Sequence, residues 1–236
     1  MAVLSDYTIA DLECMSHAAN YISWQHRLVS PFLGQRVLEV GCGIGNFTGS
    51  LLDRELVLAC DIEPACIARF EQRYAGRPNL HALVCEPGSA EFADLARWHP
   101  DSCLSMNVLE HIEDDARALA AMASVLTAGG SVVLLVPAFQ ALSGPIDRNL
   151  GHYRRYSRGS LERLARVTGL TIQTLHYMNA IGFFGWWMNA RLFRRQAQSR
   201  AQVEIFDRAV APWLSRLEAM APPPFGQSLF AVLRKP

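Results

Sequence analysis

Apolar residues in this chain gather into short unbroken runs separated by longer mixed stretches. Val37–Val40, Glu55–Cys60, Leu80–Cys85, Ser102–Met106 and Ser131–Val136 have the length and make-up of strands buried on both faces of a sheet. Between them, residues from Asn46 to Leu52, Ala65–Tyr74, Glu91–Trp98 and Ala116–Leu126 carry helical spacing, and the last stops at Ala128-Gly129-Gly130. Strands that alternate with helices predict an open α/β sheet of mostly parallel strands. Ahead of the first strand, Ile9, Leu12, Met15, Ala19, Ile22, Leu28 and Phe32 predict one or two amphipathic helices, punctuated by Pro31 and Gly34. Beyond the fifth strand come a helix from Ser160 to Thr168, an alternating strand from Leu170 to Tyr177, and an amphipathic helix over 197–220 broken at Pro212. A rigid Pro222–Gly226 connector then leads to a last strand, Gln227–Arg234.

The junction after the first strand carries the most informative local pattern. Glu39-Val40-Gly41-Cys42-Gly43-Ile44-Gly45 places three alternating glycines at a strand-to-helix turn, where backbone can approach a ligand with no Cβ in the way. In an open α/β sheet this turn opens the ligand crevice. The spacing is E-x-G-x-G-x-G, not the dinucleotide fingerprint G-x-G-x-x-G. A carboxylate at Glu39 would repel a pyrophosphate and favour a cationic ligand. At the end of the second strand, 22 residues on, Asp61 is placed to accept hydrogen bonds from two ribose hydroxyls and also sits where the next helix would be capped. Glu63 reads as a helix-start carboxylate.

Composition narrows the class. The 236 residues, half of them apolar, are enough for one α/β domain with a sizeable core. The formal net charge is zero, which argues against broad nucleic-acid binding. Six cysteines form no C-x-x-C pair and read as free thiols in a reducing compartment. No basic leader precedes a long apolar run, and no spanning segment of about 18 apolar residues occurs, so a cytoplasmic location without membrane insertion is expected.

The fourth strand delivers Asn107-Val108-Leu109-Glu110-His111-Ile112 to the carboxyl edge of the sheet, followed by an acidic helix start at Glu113-Asp114-Asp115. The glycine turn, the N-V-L-E-H-I segment and the L-x-x-G-G-x-x-x-x-x-V-P run appear in order between about 35 and 140. In these residues the chain resembles the class I S-adenosylmethionine (SAM)-dependent methyltransferases. The resemblance implies a Rossmann-like, seven-stranded, mostly parallel sheet with an antiparallel last strand and helices on both faces. It implies SAM as cofactor and S-adenosylhomocysteine as product. The implied cofactor contacts are Glu39, Gly41, Cys42, Gly43, Gly45, Asp61 and Ile62. To these it adds Glu86, in the place that meets the adenine amino group, and Asn107 and Val108 beside the methionine portion. Residues 1–34 would be an N-terminal helical segment of this single domain, 35–140 the SAM-binding core, 141–221 a substrate-side loop and helical lid, and 222–236 the last strand.

Residues 140–160 leave the common core. Asp147-Arg148-Asn149-Leu150-Gly151-His152-Tyr153-Arg154-Arg155-Tyr156 resembles a D-x-x-x-G-H-Y-R-R-Y signature of a bacterial branch of that family. His111 is a candidate general base, with a structural cap as the alternative. His152 and Tyr153 are set to face the transferring methyl. Arg154 and Arg155, with Tyr156, offer fork-shaped and phenolic donors for an anionic substrate group, or else a salt-bridge cluster that pins the loop. Tyr21 and Trp24 read first as packing residues, with Tyr21 a candidate for the site mouth. Ile181–Arg195, aromatic and then basic, is ranked as a pocket lid containing Trp186, then as a homodimer face, then as a membrane-surface element. No metal cluster stands out, because His111 and His152 lie far apart without spaced partners. The reading is a methyltransferase of a small anionic, aromatic or apolar molecule, with O, N or C as the acceptor. The alternatives are a methyltransferase of a macromolecule and a non-catalytic NAD(P)-binding protein.

Overall fold

The computed structural model describes residues 6–236. Seven strands form one sheet: β1 (Arg36–Val40), β2 (Leu56–Asp61), β3 (Leu80–Val84), β4 (Ser102–Met106), β5 (Ser131–Pro137), β6 (Thr171–Met178) and β7 (Ser228–Arg234). Their order is β3-β2-β1-β4-β5-β7-β6, and β7 runs antiparallel to both neighbours while the remaining pairs are parallel. The five apolar runs account for β1 to β5 within a residue or two. Unbroken burial of β2 and β5 explains why those segments are apolar at consecutive positions, Leu56–Cys60 and Val132–Val136, rather than at alternate ones.

Ten helices surround the sheet: α1 (Asp6–Met15), α2 (Ala19–Val29), α3 (Pro64–Arg73), α4 (Ala90–Ala93), α5 (Asp115–Ser124), α6 (Pro145–Asn149), α7 (Arg158–Val167), α8 (Ala180–Trp187), α9 (Arg200–Ile205) and α10 (Ala211–Met220) among the described residues. Strand alternation sorts the core into two layers. Leu38, Leu58 and Leu134 pack on one face with Leu119 and Met122 of α5 and Leu161 of α7. Val37, Val57 and Val133 pack on the other with Trp24 and Val29 of α2 and Leu214 of α10. No helix among the described residues is long and apolar enough to cross a membrane.

Three local expectations shift. The stretch after the glycine turn forms only a short 3-10 turn, Thr48–Leu51, instead of a helix over 46–52, because Asn46 and Thr48 spend their side chains on Leu12 and Glu39. The supposed loop after β5 contains α6, with Pro145 in its first turn and the Asp147 carboxylate accepting from the Gly144 N–H at its start. Over 200–220 the helix does not break at Pro212; a π-turn at Phe206–Val210 precedes α10, and Pro212 sits in that helix's first turn, where its missing N–H does no harm.

Candidate active site

The glycine turn is strained where glycine is required. Gly41, Gly43 and Gly45 have φ of +74°, +53° and +80°. A Cβ on Gly41 would run into the Val108 side chain, and one on Gly45 would sit 2.5 Å from the Tyr74 ring. From below, the Gly41 and Cys42 N–H groups both donate to the Cys60 carbonyl, at 2.7 and 3.0 Å. The Gly43 N–H donates to Asp61 Oδ2 at 2.8 Å, and the Glu63 N–H to Asp61 Oδ1 at 3.0 Å. Asp61 thus shapes the turn, while the cap of α3 is Glu63, whose carboxylate accepts from Ala65. Each Asp61 oxygen retains a second lone pair for a ligand hydroxyl.

Glu39 is buried beneath the same turn and accepts from Thr48 Oγ1 at 2.6 Å. Burial lifts its carboxyl to about 7 against the Thr48 hydrogen bond, and the nearby Asp61 adds to the rise. Asp61 is raised too, chiefly by burial. Neither acid belongs to an ion pair among the described residues. Two uncompensated buried acids under a bare backbone turn fit a cationic ligand with hydroxyl groups, and do not fit a phosphate. Of the other expected contacts, Cys42 is buried, so its backbone is what the turn presents. Ile62 is half exposed just past Asp61, and Glu86 is exposed two residues beyond the end of β3. Helix α1 crosses the turn: Asn46 Nδ2 donates to the Leu12 carbonyl at 2.7 Å, and Arg69 pairs with Glu13.

A second group assembles where β4 and β5 end. Asn107 takes a left-handed φ of +54°, which asparagine tolerates, and its N–H donates to the Leu135 carbonyl at 2.7 Å. The 3-10 turn Leu109–His111 follows, with Glu110 fully buried and neither of its carboxylate oxygens partnered. Burial pushes its carboxyl up to about 8, with Arg155 opposing. The fold brings His111 against His152, 41 residues away in sequence, with ring centroids 4.5 Å apart and edge to face. Burial, with His152 beside it, lowers His111 to about 4, while the Leu150 carbonyl accepts a hydrogen bond from its ring. Long sequence separation hid this juxtaposition. Glu110, His111 and His152 offer ligand atoms all within 4.8 Å of one another, which corrects the expectation that no metal-type cluster is present.

Asp147 is the hub of the neighbouring loop. Its Oδ1 accepts from Arg155 Nε at 2.6 Å and from His152 Nδ1 at 3.1 Å, and its Oδ2 accepts from Gly144 N at 2.9 Å and Trp186 Nε1 at 3.3 Å. Burial opposes ionisation, but the His152 bond and the Arg155 guanidinium hold the Asp147 carboxyl well below the usual range. The expected substrate role of Arg155 is therefore corrected: its side chain is buried, spent on Asp147 and the Ala138 carbonyl, and covered by the Trp186 ring at 5.0 Å. Tyr156 is corrected likewise, since it is buried and its hydroxyl donates to Asp115 at 2.9 Å and lies 3.3 Å from the Leu109 carbonyl. Arg154 pairs with Asp115 at 2.7 Å and donates to the Glu113 carbonyl. Tyr153 exposes its ring and ties its N–H to the Glu110 carbonyl at 2.8 Å. Sequence reasoning gave Glu110 and Asp147 no role. The only signal was a carboxylate between Leu109 and His111 and another at fixed distance from His152 and Arg155.

Over this edge lies an aromatic wall. Phe139 stacks on Tyr177 at 4.9 Å and meets Phe183 at 5.4 Å, and Phe183 and Phe184 both pack against Phe225. Tyr21 packs against Trp24 and Phe206, with its hydroxyl engaged by Asn179, Gln25 and Ser228.

Comparison with known proteins agrees with this geometry. Residues 38–134 match the family described as "Methyltransferase domain". An uncharacterized methyltransferase of Mycobacterium tuberculosis is 33% identical over 108 residues, which cover 44% of this chain and 52% of that protein. The chain thus spans about half the length of the first curated relatives it matches. A ubiquinone biosynthesis O-methyltransferase of Thiobacillus denitrificans is 28% identical over 165 residues, covering 62% and 68% of the two chains. Among solved structures, a putative methyltransferase from Bacillus halodurans superposes with a TM-score of 0.60 at 16% identity, covering 89% and 97%. Magnesium protoporphyrin IX methyltransferase from Synechocystis with bound S-adenosylhomocysteine superposes at 0.56 with 13% identity, covering 94% and 84%. These likenesses show the fold.

Proposed function

We propose that the chain, whose residues 38–134 match a methyltransferase domain, is a class I S-adenosylmethionine-dependent methyltransferase that transfers a methyl group to an oxygen, nitrogen or carbon atom of a small, largely apolar or aromatic molecule. The observation that carries the reading is the glycine turn held between two buried acids that have no basic partner among the described residues. Bound SAM supplies an electrophilic methyl group on a sulfonium, so the protein's task is to position the acceptor, move a proton where needed and exclude water.

In this reading Asp61 accepts the ribose hydroxyls, Ile62 covers one face of the adenine, and Glu86 reaches its amino group. Glu39 sets the negative potential of the turn, and Asn107 and Val108 border the methionine end. Val108 packs directly on Gly41, and the His111–His152 contact follows just beyond it in the chain, which supports a reading in which the Glu110-His111 turn and His152 border the point of transfer. Phe139, Tyr177, Phe183, Phe184 and Phe225 form the wall an apolar acceptor would lie against and keep water out. An anion grip by Arg155 receives no support, since its guanidinium is already spent, and this shifts the balance from an anionic acceptor towards an apolar or aromatic one.

Calorimetry tests the cofactor seat. S-adenosylhomocysteine binds and NADH does not, and Asp61→Ala weakens the former at least tenfold, about 1.4 kcal/mol. Binding of NADH in preference, or an Asp61→Ala variant that is folded and binds undiminished, overturns the reading.

A further inference from the structure

The least explained group in the molecule is Glu110. A fully buried carboxyl with both oxygens lacking a hydrogen-bond partner is rare in folded proteins and unfavourable by itself. Arg155, the nearest cation, donates to Asp147 and Ala138 instead. What stands beside Glu110 is a pair of imidazoles. Each has one ring nitrogen already occupied, His152 by ionised Asp147 and His111 by the Leu150 carbonyl. Because both of those partners can only accept, each ring in its neutral form donates to its partner and presents its other nitrogen as a lone pair. An oxygen acceptor behind each histidine is the arrangement that fixes tautomer and ring orientation in metal sites. Asp147 is itself locked by Arg155, Gly144 and Trp186, so the support extends outward a further layer.

We propose that Glu110, His111 and His152 bind one divalent transition-metal ion, with Asp147 as a positioning residue behind His152. The three ligand atoms lie within 4.8 Å of one another. An ion with bonds of about 2.0–2.2 Å would draw them together by roughly an ångström, a movement within reach of side-chain rotation. Two imidazole nitrogens and one carboxylate oxygen select ions such as Zn²⁺, Mn²⁺, Fe²⁺ or Co²⁺ over Mg²⁺ and Ca²⁺, which prefer all-oxygen sets. Three protein ligands leave positions open at the edge of the sheet. If the methyl-transfer reading holds, an acceptor hydroxyl in one of those positions would lose its proton more easily to solvent and become the nucleophile. That last role rests on the proposed function; metal binding does not.

The test uses the full chain, freed of metal with a chelator and titrated with Co²⁺ alone. Visible absorption bands that saturate at one Co²⁺ per chain, displaced by Zn²⁺ and not by an equal concentration of Mg²⁺, are the expected result. Glu110→Gln and His152→Ala each weaken Co²⁺ binding at least tenfold, and Asp147→Asn weakens it by about 10–100-fold. His152→Ala lies on the loop and is the safer variant, since Glu110→Gln alters a buried position. S-adenosylhomocysteine binding, measured in parallel, shows that each variant is folded. Wild-type protein that takes up no stoichiometric Co²⁺ or Zn²⁺, or a His152→Ala variant that binds Co²⁺ like wild type, overturns the proposal. Loss of S-adenosylhomocysteine binding in the wild type would instead count against the methyltransferase reading, so the two failures are distinguishable.

Discussion

At the scale of single residues, Glu39 carries an energetic cost that pH can reveal. Its carboxyl titrates near 7 in the fold and near its ordinary 4.5 when the chain unfolds. Between those values the native state holds a proton that the unfolded state has released, so stability falls as pH rises from about 4.5 through about 7 and levels off above. The gap, at about 1.4 kcal/mol per tenfold, sets an upper limit of roughly 3 kcal/mol. Glu39→Gln removes this dependence while keeping a partner for Thr48. The variant's Tm relative to wild type is expected to climb by several degrees between about pH 5 and about pH 8, at about 2–4 °C per kcal/mol for a chain of this size. A difference in Tm that stays flat with pH would show that Glu39 does not titrate in this window. A cationic ligand on the turn should offset the cost, so saturating S-adenosylhomocysteine, which keeps the ammonium of its amino acid, should reduce the gap between the two proteins at the alkaline end.

At the scale of elements, the loop from Gly144 to Tyr156 is a clamp between the ends of β4 and β5. It is tied to the Glu110 turn by Tyr153, to the start of α5 by Arg154 and Tyr156, and to itself by the Asp147 hub. Arg155→Ala leaves Asp147 buried and charged without its guanidinium partner, and should cost about 3–5 kcal/mol. Arg154→Ala breaks a partly exposed pair near the surface, worth about 0–1 kcal/mol. Denaturant melts of the two variants should separate them clearly; equal losses would mean that the Asp147–Arg155 pair is not the anchor. The loop also shows where sequence reading stops. Its Arg and Tyr residues have the right chemistry for an anion, and nothing in the sequence reports that the donors are already used by Asp147, Asp115 and backbone carbonyls. The residue types were legible and their partners were not, because those partners lie up to 47 positions away and meet only in the fold. Glu110 and the His111–His152 contact were missed for the same reason. The glycine turn was legible because its constraint is local: three positive φ values can be read from three glycines.

For the whole molecule, the strands and most of the helices between them followed from apolar runs and helical spacing, since burial on two faces imprints itself on consecutive residues, while the strand order and the two core layers were seen only in the fold. Tertiary contacts decided what local pattern could not, such as the short turn after Gly45 and the π-turn before Pro212. Stability is correspondingly uneven. β1, β2, β4 and β5 are almost wholly buried at the centre of the sheet, whereas residues 188–199 bury only Ala190 and expose Leu192 and Phe193. Amide hydrogens of the central strands should exchange only through global unfolding, and those of 188–199 through local opening at far lower free energy. Helix α1 lies between these extremes, because it is held over the glycine turn by the Asn46–Leu12 bond and the Glu13–Arg69 pair. If that turn is the cofactor seat, entry requires α1 to yield and occupancy should fasten it. Hydrogen exchange with saturating S-adenosylhomocysteine should then slow in α1 and in residues 41–48, while 188–199 stays fast. Protection that appears in 188–199 and spares α1 would move the ligand away from the glycine turn and place it under the aromatic wall instead.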